Sequence, residues 1–188
     1  MLPLERFRLD GRTALVTGAS SGIGAALALA LAQSGATVIA AARRIDRLQA
    51  VVTDIVAAGG QAHAVELDVT DSESIRAAFD RAEQLADTVS ILINNAGVAE
   101  PSRFMSTDAA SRDKVMATNF EGVWDLTQEA ARRLLAAKRP GSIVNIASIL
   151  GLGAGVGYAS YAASKAAGIQ LTRVLALELG RSGIRVNS

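Results

Sequence analysis

The chain has 188 residues, half of them apolar, with a formal charge of +1 from 19 basic and 18 acidic side chains, no cysteine and one histidine. That length and apolar share suit a single domain able to bury a sizeable core. The near-neutral charge, with no long basic run, argues against a nucleic-acid partner, and without cysteine there are no disulfides or thiolate metal sites, while His63 alone cannot build a metal cluster.

At the start of the chain Glu5, Arg6 and Arg8 interrupt the apolar residues, so no signal peptide is expected and a cytoplasmic location is inferred. The uncharged stretches at 13–42 and 141–164 are broken by glycines and polar residues, which argues against a membrane span. Residues 13–17 are an apolar run ending at glycines, 25–32 are strong helix formers and 37–41 read as a second strand, so one βαβ unit sets a parallel sheet. A helix is predicted over 44–58, with Ile45, Leu48, Val52, Ile55 and Val56 at helical spacing and Gly59-Gly60 closing it, followed by a third strand at 61–67. Asp71-Ser-Glu-Ser74 opens the next helix, with Asp71 or Ser72 as cap and Ile75, Ala78, Phe79 and Leu85 facing inward.

A fourth strand falls at 90–93, one long helix at 108–137 ends at Arg139-Pro-Gly141, and a fifth strand occupies 142–146. A last helix at 159–179 leads to a sixth strand at 184–188. Unbroken alternation of strand and helix predicts one doubly wound α/β domain, a parallel sheet with right-handed crossovers and helices on both faces.

Three places carry chemistry. Gly18, Gly22 and Gly24, with Ser20, Ser21 and Ile23 between them, join strand one to the first helix, where bare amides and the positive helix end suit a pyrophosphate; a tight structural corner is the plainer alternative. Ala42-Arg43-Arg44 ends strand two with no carboxylate to accept from a free ribose 2′-hydroxyl, so NADP(H) is favoured over NAD(H) unless the arginines only flank a solvated helix start. Tyr161 and Lys165 stand one helical turn apart and share a face. An ammonium beside a phenol favours the phenolate, bringing a proton usually lost near pH ~10 within reach of neutral chemistry. Tyr158, the other tyrosine, has Ala162 in the corresponding position and no such partner.

Thr17-Gly-Ala-Ser-Ser-Gly-Ile-Gly24, Asn94-Asn-Ala-Gly97, Asn119, Ser148 and Tyr161-Ala-Ala-Ser-Lys165 together resemble the short-chain dehydrogenase/reductase family over nearly the whole chain. The resemblance implies a Rossmann-like dinucleotide-binding domain that carries the catalytic residues. It implies an oxidoreductase passing hydride between NADP(H) and a secondary alcohol or ketone, such as a 3-oxoacyl thioester, a small ketone or a steroid-like alcohol. Tyr161 would exchange the proton with the substrate oxygen, and Ser148 would hydrogen-bond that oxygen. Lys165 would tune the tyrosine and bind the nicotinamide ribose, and Asn119 would hold a water in a proton relay. Asn95, Ala96 and Gly97 would face the cofactor, and Asp68, with Val69 beside it, resembles the acid that contacts adenine.

Ser148 as a turn residue, Asn119 as a buried hydrogen-bonder and Asp68 as a cap remain open at this point. Members of the family usually continue past the position of Ser188 through a substrate-covering segment, so the sequence reads as lacking that part, with apolar surface left open. A dinucleotide-binding fragment or sensor without turnover is the alternative function. Pairing of the long helices into a homo-dimer or homo-tetramer is a further implication of the resemblance.

Overall fold

The computed structural model describes residues 7–188, and the charges at Glu5 and Arg6 that bear on a signal peptide lie outside them. In chain order the elements are β1 (Thr13–Thr17), α1 (Gly22–Gln33), β2 (Thr37–Ala42), α2 (Ile45–Ala57), β3 (Gln61–Glu66) and α3 (Ser72–Leu85). They continue as β4 (Val89–Asn94), α4 (Ala109–Met116), α5 (Gly122–Ala136), β5 (Gly141–Asn145), α6 (Ala159–Gly180) and β6 (Ile184–Asn187). All strands pair in parallel, in the order β3-β2-β1-β4-β5-β6. The order reverses between β1 and β4, and in such sheets a ligand crevice opens at the carboxyl ends of the strands beside that switch.

Side chains alternate along each strand and so divide the core in two. Leu15, Ile39, Val65, Leu92 and Ile143 join Ile75, Phe79, Leu126 and Leu134 of α3 and α5 on one face, where Leu175 and Leu179 of α6 also pack. Ala14, Val16, Val38, Ala40 and Ile93 meet Ala28, Leu48 and Ile55 of α1 and α2 on the other. Fully burying Phe79 stabilises the first face by about 1.5–3 kcal/mol. Arg133 of α5 lies over the Phe79 ring and pairs with Asp80 and Glu83 of α3, which closes the edge of that face with charge. Its guanidinium is buried at a cost, but these carboxylates and Glu129 outweigh the burial and hold its pKa above the usual value.

Strands β1 and β4 are buried along their whole length, as parallel strands with helices on both faces should be. The outer strands differ. In β5 and β6 buried residues alternate with partly or fully exposed ones, so Ile143, Ile184 and Val186 are covered while Val144 is only half-buried on the opposite face.

The boundaries fall within a few residues of the sequence reading, and Asp71 is the cap of α3, its carboxylate accepting from Glu73 N at 2.8 Å. A cap of this kind contributes about 1 kcal/mol. Ile45 and Val56, counted in the helical spacing of α2, are exposed, and Leu48, Val52 and Ile55 carry the packing. The helix expected over 108–137 is corrected by the structure: it is two α-helices, α4 and α5, joined by a π-helical turn at Ala117–Glu121. An extra residue in one turn rotates the remainder of the helix about its axis, and Asn119 is thereby turned inward to 2 % exposure. Lys138 ends α5 with φ 52°, a left-handed conformation that glycine adopts without strain. No described helix is long and apolar enough to cross a membrane.

Candidate active site

Strand β1 runs into its turn through Thr17, whose buried hydroxyl accepts from the backbone amides of Asn95 and Ala96, each at 3.0 Å. Asn95 answers with its side chain, donating to Thr17 O at 2.9 Å. The ends of β1 and β4 are thus laced together at the point where the strand order reverses. Gly18 takes φ 65°, and a Cβ there would stand 2.9 Å from Ala96 Cα. A Cβ at Gly24 would stand 2.5 Å from Asn95 Nδ2 and closer still to the Gly18 carbonyl oxygen. These two glycines are required by the close approach of turn, helix and β4. Gly22 is different: with φ 57° and nothing within 4 Å of a Cβ, it faces open space.

Helix α1 begins here with bare amides. Its N-cap, Ser21, makes no side-chain cap, and its first turn carries no acidic residue. The orphan N–H groups and the positive helix end are therefore free to meet an anion.

Beside this turn lies a cleft of about 440 Å³, lined by Gly18, Ser20, Ser21, Ile23 and Gly24 from β1–α1, Arg43 and Arg44 after β2, Asp68, Val69 and Thr70 after β3, and Asn95, Ala96 and Gly97 after β4. Every residue that the sequence assigned to a dinucleotide therefore lines one cleft, except Gly22, Tyr161 and Lys165. Arg44 Nη2 reaches Ser20 Oγ at 3.2 Å, so the corner after β2 closes onto the glycine turn. Burial works against the Asp68 carboxylate, but donation from Thr70 N and Oγ1 and the Arg43 charge outweigh it and hold its pKa below the usual value. Asp68 is thus a turn residue and a cleft residue at once, and its Oδ1 is taken by Thr70.

The floor passes from the cleft to α6 at Gly97. A Cβ at that position would lie 3.3 Å from Asn119 Oδ1 and 3.8 Å from Lys165 Nζ, so the missing side chain leaves a gap between the two. Lys165 is buried, donates to Ile146 O at 2.6 Å, and stands 5.8 Å from the centroid of the Tyr161 ring. Burial pushes its pKa down from the usual lysine value. Tyr161 is half-buried, one turn before the lysine, and meets the edge of Tyr158 at a centroid distance of 6.2 Å.

Asn119 forms a clamp. Its Oδ1 accepts from Val98 N and its Nδ2 donates to Val98 O, both at 2.8 Å, with a further donation to Ser164 Oγ at 3.2 Å. Ser164, fully buried, donates its hydroxyl to the backbone carbonyl of Tyr161 at 2.7 Å. The π-helical turn is thereby tied to the segment of α6 between Tyr161 and Lys165. Ser148 follows β5, and its Oγ accepts from Leu150 N at 3.2 Å to cap the short turn Ile149–Gly151. That turn rests on α6: a Cβ at Gly151 would lie 3.0 Å from the backbone carbonyl carbon of Lys165. Asn119, Tyr161 and Lys165 are thus gathered near the start of α6, whereas Ser148, just after β5, lines a separate hollow with Ile149, Ile169 and Arg173.

The sequence reading did not single out Ser164, Val98, Thr118 or Gly122. Thr118 and Val98 line the cleft, and a Cβ at Gly122 would stand 2.5 Å from the Val69 carbonyl oxygen, so this glycine lets α5 approach the loop after β3. A glycine inside a helical pattern was the available signal, since it weakens the helix and marks a close approach.

The sequence profile of the family described as short chain dehydrogenase matches residues 12–188. The 3-oxoacyl-[acyl-carrier-protein] reductase FabG of Aquifex aeolicus is 37% identical over 182 residues, which cover 96% of this chain and 73% of that one. A short-chain type dehydrogenase/reductase from Mycobacterium marinum superposes with a TM-score of 0.95 at 36% identity, covering 98% of this chain and 74% of its own. A gluconate 5-dehydrogenase from Burkholderia cenocepacia J2315, solved in complex with NADP and tartrate, gives a TM-score of 0.92 at 34% identity, covering 98% of this chain and 72% of its own. With the profile spanning nearly the whole chain and these relatives matching it end to end, the chain belongs to the short-chain dehydrogenase family and is an oxidoreductase of that type.

Proposed function

We propose that this oxidoreductase interconverts a ketone and a secondary alcohol with NADP(H), Tyr161 exchanging the proton on the substrate oxygen. The observation that carries the reading is Lys165 Nζ, buried beside the Tyr161 ring and reaching the floor of the cleft at Gly97. The cleft suits a dinucleotide: its glycines leave room that a Cβ would fill, and the uncapped start of α1 offers amides to a pyrophosphate. A nicotinamide bound there supplies or accepts the hydride.

Tyr161 gives or takes the proton as a general acid/base, Ser148 donates to the same oxygen, and the Lys165 ammonium, beside the tyrosine ring, binds the ribose. Asn119 fastens the Val98 peptide and, through Ser164, the tyrosine end of α6. These bonds take the Nδ2 donors, while Oδ1, which accepts only from Val98 N, keeps a second lone pair for a relay water.

Arg43 and Arg44 line the cleft where β2 ends, with no carboxylate at that corner, which supports a 2′-phosphate and hence NADP(H). Arg43→Ala is expected to raise KM for NADPH by about 10–100-fold, the worth of a charge-assisted hydrogen bond, with little change for NADH. Steady-state kinetics with both cofactors test this, and equal effects would refute the assignment. A 3-oxoacyl thioester heads the substrate classes, supported by the name of the Aquifex relative and by the exposed Ile149, Leu152 and Val156 that follow Ser148. Exposed Trp124 and Leu135 on α5 and Val174 and Leu177 on α6 support pairing of these helices in a homo-dimer or homo-tetramer.

A further inference from the structure

We infer that Asn145 and Thr172 are a positioning pair: they seat α6 against the end of β5 and so hold Lys165 in place. The inference rests on the reading of Lys165 as the partner of Tyr161. Asn145 is the last residue of β5 and lies opposite Asn94 in the sheet. Its Oδ1 accepts from Asn94 Nδ2 at 2.8 Å, and its Nδ2 donates to Thr172 Oγ1 at 2.9 Å. The Thr172 hydroxyl donates to the backbone carbonyl of Gly168 at 2.8 Å, and Asn94 Nδ2 donates also to Thr127 Oγ1 at 3.0 Å.

A line of polar groups thus runs from α5 through β4 and β5 to α6, and Asn94, Thr127, Asn145 and Thr172 are all at or below 5 % exposure. Buried polar groups of this kind cost stability unless they are bonded, and once bonded they fix one arrangement. Asn94 spends both protons of its amide on the two acceptors while its Oδ1 has no partner, so those acceptors dictate how the amide lies.

The next residue along β5 adds a second tie. Ile146 donates its N–H to Asn94 O at 2.9 Å, and its carbonyl accepts from Lys165 Nζ at 2.6 Å. Lys165 and Thr172 are seven residues, two turns, apart and share a face of α6. Two adjacent residues at the end of one strand therefore hold one helix face at two points, Asn145 by its side chain and Ile146 by its carbonyl. Among the described residues no carboxylate forms an ion pair with Lys165, so its place depends on this carbonyl and on the helix that the Asn145–Thr172 bond sets in register.

The sequence has three lysines, Lys114, Lys138 and Lys165, and the first two are exposed, which gives a readout independent of turnover. Each variant is reductively methylated with formaldehyde and cyanoborohydride, and the rate at each lysine is followed by peptide mass spectrometry. Thr172→Val keeps the shape and removes the hydroxyl. It is expected to raise the rate at Lys165 relative to Lys138 by about fivefold, the ratio one buried hydrogen bond commands. It is also expected to lower kcat while KM for the ketone stays unchanged.

Thr172→Ser should restore both values. Asn145→Ser, which shortens the amide arm, should repeat the effect and serves if the valine variant does not fold. A Lys165 to Lys138 ratio unchanged in folded Thr172→Val or Asn145→Ser, with only the melting temperature lowered, would overturn the proposal. A parent chain that binds NADPH but reduces no ketone would instead sink the functional reading, while the labelling ratios would still decide the positioning role.

Discussion

Tyr161→Phe is expected to lower kcat for ketone reduction by about 10²–10⁴-fold, the usual contribution of a general acid/base, with NADPH affinity unchanged within about twofold. The substitution removes one oxygen and leaves the ring, so the edge contact with Tyr158 and the position beside Lys165 remain available. Stability should therefore hardly change, and the loss should appear in turnover alone. Fluorescence titration with NADPH beside steady-state kinetics makes the separation. A variant that keeps more than about a tenth of kcat would place the proton on another group.

The pH dependence is set by Lys165. Burial disfavours its ammonium, so the folded pKa lies below the unfolded one. As pH rises through the folded value the lysine loses its charge, and a pH–rate profile is expected to show an alkaline fall that begins below the usual lysine range. In the window between the two values the unfolded chain binds more protons than the native one, so this group's contribution to stability rises with pH there. At lower pH the buried ammonium is a stability cost, which the Ile146 carbonyl offsets in part.

The second large effect is at the glycine turn. Gly24→Ala puts a methyl group against the Gly18 carbonyl oxygen and Asn95 Nδ2, neither of which is the loose end of a long side chain, because Asn95 is bonded to Thr17 O. Overpacking of this kind costs about 1–3 kcal/mol, and the displaced turn should lose NADPH affinity by about tenfold or more. Gly22→Ala is the internal comparison. Its methyl meets nothing within 4 Å, so only the left-handed backbone penalty of about 1–2 kcal/mol applies. Thermal unfolding and NADPH titration of the pair separate collision from backbone strain, and equal losses of affinity would mean that crowding between Gly18 and Asn95 does not shape the cleft.

Much of this architecture was legible in the sequence because its signals are local. Apolar runs bounded by glycine, as at Thr13–Thr17 before Gly18, locate strands, and the Asp71 cap locates the start of α3. Tyr161 and Lys165 were legible because a helix turns a spacing of four into proximity. The π-helical turn at Ala117–Glu121 was not, because one extra residue in a turn leaves the apolar pattern of the segment nearly unchanged. Its consequence, Asn119 clamped to Val98 and Ser164, depends on contacts between residues 21 and 45 positions apart.

Long-range pairing hid other features for the same reason. Arg44 bonds Ser20 across the cleft, and Asn145 bonds Thr172 across a strand and a helix, neither of which has a spacing signature. Lys138 at φ 52° was also hidden, since the residue type gave no hint that a left-handed cap would fall there rather than at the Pro140-Gly141 signal.

The most direct test of hydride transfer to a ketone tracks the hydride itself. The chain is incubated with NADPH deuterated at the transferring position of the nicotinamide and with a panel of 3-oxoacyl thioesters and small ketones, and the alcohols formed are analysed by mass spectrometry. One deuterium on the carbinol carbon, lost together with the product in Tyr161→Phe, is the predicted result. Saturable NADPH binding with no deuterated alcohol from any member of the panel would contradict the proposed function and leave a dinucleotide-binding protein without turnover.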